Sequence, residues 1–153
     1  MTTSGKSLLI RDPLPDDEAS WRHLWAGYCA FYESTVAEAV TAATWKRIVT
    51  QGGTMLGRIA LLDGVVTGFS ISVLHQGSWT IRPICYLEDL FVDAKARGHG
   101  VGRALITDLL TLAKERGWGR LYWHTRAGNA TARRLYDEFA AADDFVRYRI
   151  ALD

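Results

Sequence analysis

The stretch Ala96-Arg97-Gly98-His99-Gly100-Val101-Gly102 constrains this chain more than any other. Its alternating glycines separate a strand-like run, residues 80–92, from a helix-like run, residues 100–116. In the second run Val101, Leu105, Leu109 and Leu112 recur on one helical face, and Gly117 supplies a C-terminal stop. A strand, a glycine loop and an amphipathic helix in succession demand an α/β arrangement, with helices covering a sheet.

The remaining periodicities extend that plan. Residues 7–11 read as a first strand, stopped by Pro13 and Pro15, and Asp16, Asp17 and Glu18 open a helix. Trp21, Leu24, Trp25 and Tyr28 share one face of it. A second helix is predicted over 36–50, ended by Gly52-Gly53. Two strand-like runs follow, joined by the hairpin pair Asp63-Gly64, and the 80–92 strand comes after them. Residues 120–125 form another strand, Asn129 caps a helix running to about residue 141, and FVRYRIAL (145–152) closes the chain as a strand. The predicted order is β-α-α-β-β-β-α-β-α-β: a mixed, mostly antiparallel sheet flanked by helices. Nothing in the chain reads as a linker or repeat, so residues 1–153 are expected to form a single domain.

Composition excludes several classes. The 48% hydrophobic and 23% charged residues are globular values, and a net charge of +1 gives no basic coat for nucleic acid. No apolar run approaches the roughly 20 residues of a membrane span. The opening MTTSGKSLLIRD lacks the apolar core and cleavage site of a secretory signal, and Cys29 and Cys85 form no CxxC pair, so a cytoplasmic location is expected. The histidines are scattered, and no metal site is expected.

The glycine stretch is not a dinucleotide fingerprint, because its spacing is GxGxG and no acid ends the 120–125 strand. Nor is it a phosphate loop of the GxxxxGK[ST] type, since Arg103 follows Gly102. A helix N-terminus with unpaired amides still suits a phosphate, and Lys95, Arg97, His99 and Arg103 surround it with donors. On composition alone, this anion cradle and an ordinary glycine connection with solvated arginines both stand.

The flanks add a resemblance. YLEDLFVDAKARGHGVGRALI resembles the acetyl-CoA signature of the GNAT acyltransferase superfamily, with Arg97, Gly100 and Gly102 matching its (Q/R)xxGx(G/A) motif. WHTRAGNATARRLYDEF is similar to the next family motif, an Asn before a helix that bears a Tyr. The wording of YLEDLFV and NATARRLY is especially similar to the spermidine/spermine and histone or polyamine acetyltransferase branch, and the likeness is clear over the second half of the chain. It implies the GNAT fold and acetyl-CoA as cosubstrate. Amides of residues 98–103 (Gly98, His99, Gly100, Val101, Gly102, Arg103) would hold the pyrophosphate. Leu90, Phe91 and Val92 would pair with the pantetheine arm, and Asn129 would reach the cofactor. Homodimers are common in that branch.

Acyl transfer to an amine requires removal of an ammonium proton, with pKa near ~10, and help for the departing thiolate. The resemblance makes Tyr136 the candidate donor and Glu88 the candidate proton acceptor through water. Tyr136 also lies at helical spacing with Ala132, Leu135 and Phe139, which by itself reads as a core aromatic, and the motif match puts the functional reading ahead. Strand alternation sets Glu88 and Asp89 on opposite faces, with Asp89 read as structural. His124, Arg133 and Arg134 stay ambiguous, and the first helix's aromatics read as core with a pocket rim. Ala141-Ala142-Asp143-Asp144 stands where the family usually has Gly-Phe, and no acidic cluster marks a polyamine pocket.

The reading is an N-acetyltransferase that transfers acetyl from acetyl-CoA to a small amine or amino acid-like acceptor by direct attack. A protein lysine or N-terminus, an inactive coenzyme A sensor and a nucleotide-binding domain are its rivals.

Overall fold

The computed structural model describes residues 5–152, so the first four residues of the opening segment lie outside the described residues. Its elements are β1 (Leu8–Arg11), α1 (Glu18–Phe31), α2 (Glu38–Val49), β2 (Met55–Leu62), β3 (Val65–Gly77), β4 (Thr80–Val92), α3 (Val101–Arg116), β5 (Arg120–Trp123) and α4 (Ala130–Tyr136). They build a five-stranded sheet in the order β1-β2-β3-β4-β5, in which β4 and β5 are parallel and every other pair is antiparallel. The β2–β3 turn uses Asp63 and Gly64 at φ 51° and 79°, the doubly left-handed geometry that a tight hairpin needs.

The helices cover both faces, as the periodicities require. On one face α1 and α2 bury Trp21, Leu24, Trp45 and Ile48 against Ile59, Phe69 and Ile71. On the other, α3 buries Ile106, Leu109 and Leu112 against Leu56, Cys85 and Leu87, while Val101 and Leu105 meet Ala60 and Leu62. The start of α3 sits close to the sheet because β3 carries Gly68. A side-chain carbon there would lie 2.9 Å from the Phe91 carbonyl oxygen and 3.1 Å from Val101. Arg58 of β2 fastens the same helix, with Nε and Nη2 each 2.8 Å from Asp108 and Nη1 2.6 Å from Asp12.

Two features of β4 prepare the site. A β-bulge interrupts its pairing with β3: Ile71 pairs with Asp89 and Ser72 with Leu87, which leaves Glu88 as the extra residue. The bulge corrects the strict alternation expected from sequence. Leu87 and Leu90 both face α3, whereas Phe91 packs on the α1 side and Asp89 bonds to Tyr28 of α1. Beside it, β5 pairs with β4 only from Ile84–Arg120 to Leu87–Trp123. The pairing ends there because β5 itself ends at Trp123, which leaves a gap on that edge of β4 along residues 88–92.

Two expectations are corrected at the C-terminal end. The last helix stops at Tyr136, because the next amides tighten onto carbonyls three residues back: Glu138 donates to Leu135, and Phe139 to Tyr136. The predicted closing strand 145–152 is not formed within the single chain. A strand exists only through its partner's hydrogen bonds, and in one copy this segment has none.

Candidate active site

The glycine loop is held at both ends. Before it, Asp93 accepts a hydrogen bond from the Lys95 amide at 3.1 Å, and Ala96 is buried against α3. After it, the Gly100 carbonyl accepts the Ala104 amide at 2.9 Å, the first bond of the α3 ladder. The amides of Val101, Gly102 and Arg103 precede that ladder, and no side chain caps them. Gly98 and Gly100 take left-handed φ values of 85° and 76°, with nothing within 4 Å of where a side chain would project. The loop therefore turns a run of backbone donors toward open space at a positive helix end. That is the cradle a pyrophosphate needs, and the residues fit the group.

The charged residues around it divide. Arg97 is exposed and lines a 530 Å³ cleft with Phe31, Phe91 and Asp93. His99 is exposed on the loop. Arg103 is committed elsewhere, ion-paired to Glu138 of the turn after α4 at 2.6 Å. Arg133 donates to the Ala127 carbonyl at 2.8 Å and so braces the loop after β5.

Leu90, Phe91 and Val92 lie along the gap between β4 and β5, where the β5-side edge of β4 carries no strand partner among the described residues. α4 closes the other wall. Asn129 caps it, its Oδ1 accepting the Ala132 amide and its Nδ2 donating to Thr125 Oγ1, both at 3.3 Å. Phe31, Tyr32, Arg126 and Asn129 line a 360 Å³ pocket, with the Arg126 guanidinium 5.4 Å from the Tyr32 ring centre. Leu135 lies against Gly102, and Tyr136 packs edge-on to Trp123 with ring centres 5.5 Å apart. Burial, with the nearby Tyr32, pushes the Tyr136 phenol above its ordinary range, so it stays protonated. Its hydroxyl has no protein hydrogen-bond partner among the described residues.

On the far side of the gap stands an acidic and aromatic group. Glu88 is exposed on the bulge. Asp89 accepts a 2.7 Å hydrogen bond from the Tyr28 hydroxyl, and burial pushes its carboxyl up to about 6 despite that bond, with the Glu88 charge adding to the rise. Tyr86 stacks on Tyr122 and meets His124 Nδ1 at 3.3 Å. Sequence reasoning treated Asp89 as structural. The signal available was Tyr28, the last aromatic of the α1 face, but its 61-residue separation from Asp89 hid the pairing. Of the α1 aromatics, Trp21 is core and Tyr28 packs half-buried against it, while Tyr32, just past the helix, lines the 360 Å³ pocket.

The acetyltransferase (GNAT) family profile matches residues 16–140, most of the chain and every element of this site. The chain is a GNAT acetyltransferase. It is 33% identical over 144 residues to a D-amino-acid N-acetyltransferase of Saccharomyces cerevisiae, covering 93% of this chain and 89% of that one. It is 31% identical over 78 residues to a thialysine N-epsilon-acetyltransferase of Bos taurus, covering 51% and 45%. Among solved structures, it shares the fold of an aminoglycoside N-acetyltransferase in complex with CoA, at TM-score 0.75 and 21% identity, covering 99% of this chain and 100% of that one. This acetyltransferase is thus an acyltransferase with acetyl-CoA as cosubstrate. Among the described residues no group of His, Cys, Asp and Glu can hold a metal ion.

Proposed function

We propose that this acetyltransferase acts on a small primary amine of amino acid type, as a single domain over residues 1–153, a homodimer, in the cytoplasm. The observation that carries the reading is the Asp89–Tyr28 pair at 2.7 Å, next to exposed Glu88 on the stretch of β4 that β5 leaves unpaired. Two carboxylates at one end of a narrow gap draw an ammonium group toward it and leave a proton acceptor in place. The similarity to a D-amino-acid N-acetyltransferase over nearly the whole chain supports an acceptor of that size.

In this reading the amides of Gly98 to Arg103 hold the pyrophosphate. Arg97 and His99 flank it, Leu90, Phe91 and Val92 pair with the pantetheine arm, and Asn129 borders it. Asp89 positions the ammonium group, and Glu88, open to water, takes its proton through a water molecule. The freed amine attacks the thioester carbonyl directly. As the tetrahedral intermediate collapses, the C–S bond breaks, Tyr136 gives its proton to the departing thiolate, and the second proton lost by the nitrogen restores the phenol through water. An acyl-cysteine is not required. Burial pushes Cys85 up to about 11 and also raises Cys29, which favours the protonated thiol in both.

The test is thiol release from acetyl-CoA against D- and L-amino acids, polyamines, aminoglycosides and lysine peptides. Turnover on free amino acids well above the other classes supports the reading. Turnover confined to peptides moves the acceptor to proteins. Acetyl-CoA binding without turnover on any amine makes the chain a sensor.

A further inference from the structure

Arg126 stands on the loop between β5 and α4, three residues before Asn129. The loop is a braced turn: the Arg126 carbonyl accepts the Asn129 amide at 2.9 Å, and Arg133 donates to the Ala127 carbonyl at 2.8 Å. The Arg126 guanidinium, by contrast, meets no carboxylate or carbonyl among the described residues. Arg11, Arg22, Arg58 and Arg103 are all ion-paired. Arg126 instead lies over the Tyr32 ring, 5.4 Å from its centre, in the wall of the 360 Å³ pocket. An aromatic face steadies a guanidinium through its quadrupole and leaves the N–H fork free for an anion.

The surroundings of the pocket indicate which anion. Tyr32 packs edge-on to Tyr28 with ring centres 5.0 Å apart, and the Tyr28 hydroxyl bonds to Asp89. A carboxylate and a guanidinium therefore end one run of side chains: Asp89, Tyr28, Tyr32, Arg126. Asn129 shares the pocket with Arg126, and Tyr32 lies near enough to Tyr136 to help raise its phenol. The pocket thus adjoins the groups that carry acetyl transfer. A plain alkylamine or a polyamine offers nothing to the fork and, as a cation, meets a like charge there. A zwitterion has a partner for each end, its ammonium for Asp89 and its carboxylate for the planar guanidinium.

We propose that Arg126 binds the carboxylate of the acceptor and makes this acetyltransferase selective for free amino acids over their amides and over plain amines. The inference rests on the amino acid-type acceptor proposed above and adds the residue that recognises it. Arg126 is a specificity-determining residue, set on the braced turn and steadied by Tyr32. It discriminates by attraction and repulsion together: an acceptor without a carboxylate forgoes the fork, and a second positive charge is turned away. A lysine inside a peptide also lacks the free carboxylate, so the same residue disfavours protein acceptors.

The experiment takes the amino acid that the full chain acetylates fastest and compares it with its own carboxamide. Steady-state thiol release gives kcat/KM on both for the parent protein, Arg126→Gln and Arg126→Lys. Arg126→Gln is expected to lower kcat/KM for the acid by about 10- to 100-fold, mainly through KM, and to shift the acid-to-amide ratio by a similar factor. Arg126→Lys keeps the charge without the planar fork and is expected to recover part of that loss. It also carries the test should the Gln variant melt early. No loss, or an equal loss on acid and amide, overturns the inference and leaves the amino acid-type acceptor standing. A rise confined to the KM for acetyl-CoA also overturns it and assigns Arg126 to the cosubstrate. Failure to turn over any amino acid removes the acceptor class, and this inference with it.

Discussion

Tyr136 and Asp89 are both moved from their ordinary titration ranges by burial, with opposite consequences. A raised phenol keeps its proton, so Tyr136 has one to donate. Tyr136→Phe is therefore expected to lower kcat by about 100-fold with little change in KM for acetyl-CoA, measured by steady-state thiol release. A raised carboxyl gives up its charge early. With a folded value of about 6, Asp89 is ionised at neutral pH and protonated as pH falls below that value. For a cationic acceptor, kcat/KM is expected to fall on that acid limb, and Asp89→Asn is expected to raise KM and flatten the limb. The linkage sign runs the other way for stability. A carboxyl whose folded pKa exceeds its unfolded one stabilises most below the unfolded value, and that contribution is lost as pH rises through about 6. Asp89→Asn keeps an acceptor for the Tyr28 hydroxyl, so its melting temperature at pH 8 is expected to match or exceed that of the parent protein. A clear loss at pH 8 would show that the charge itself supports the fold.

At the scale of elements, the β4 bulge, the loop and α3 act together. The bulge re-aims Asp89 and Phe91 toward α1 while Leu90 keeps its seat under α3, and the strand gap opens where β5 leaves. The left-handed turn at Gly100 aims the free amides of α3 outward. Gly100→Ala places an L residue at φ 76°, which costs about 1–2 kcal/mol and puts a methyl group into the space facing the pyrophosphate. The measured outcomes are a lower melting temperature and a weaker calorimetric affinity for acetyl-CoA. The direction of α3 depends on Arg58, whose side chain is 11% exposed beside Asp108 at 14%. Removing one partner of such a buried pair leaves a charge uncompensated. Arg58→Ala is therefore expected to lose about 3–5 kcal/mol in urea unfolding.

For the whole molecule, ligand binding and folding are one equilibrium. A ligand present at 100 times its Kd stabilises the folded form by about 2.7 kcal/mol. Coenzyme A is expected to raise the melting temperature, whereas ATP and NAD leave it unchanged, because the loop spacing matches neither nucleotide fingerprint. Protection by ATP or NAD in place of coenzyme A would sink the assignment of the loop. Much of this molecule was legible in its local pattern. Helical and strand periods placed α1, α3 and β2 to β5, Asn129 marked a cap, and the flanks of ARGHGVG pointed to the cosubstrate. The elements and the cap depend on neighbours within a few residues, where spacing and propensity act directly, whereas the cosubstrate was implied by the family resemblance of those flanks. Tertiary structure alone decided the rest. Whether Asp89 shares a face with Glu88 turned on one extra residue in β4, and the Tyr28 partner came from an element far away in sequence. Whether FVRYRIAL is a strand turned on a partner edge that alternation cannot supply. A period of two records that a segment can pair, and hydrogen bonds to another strand determine whether it does.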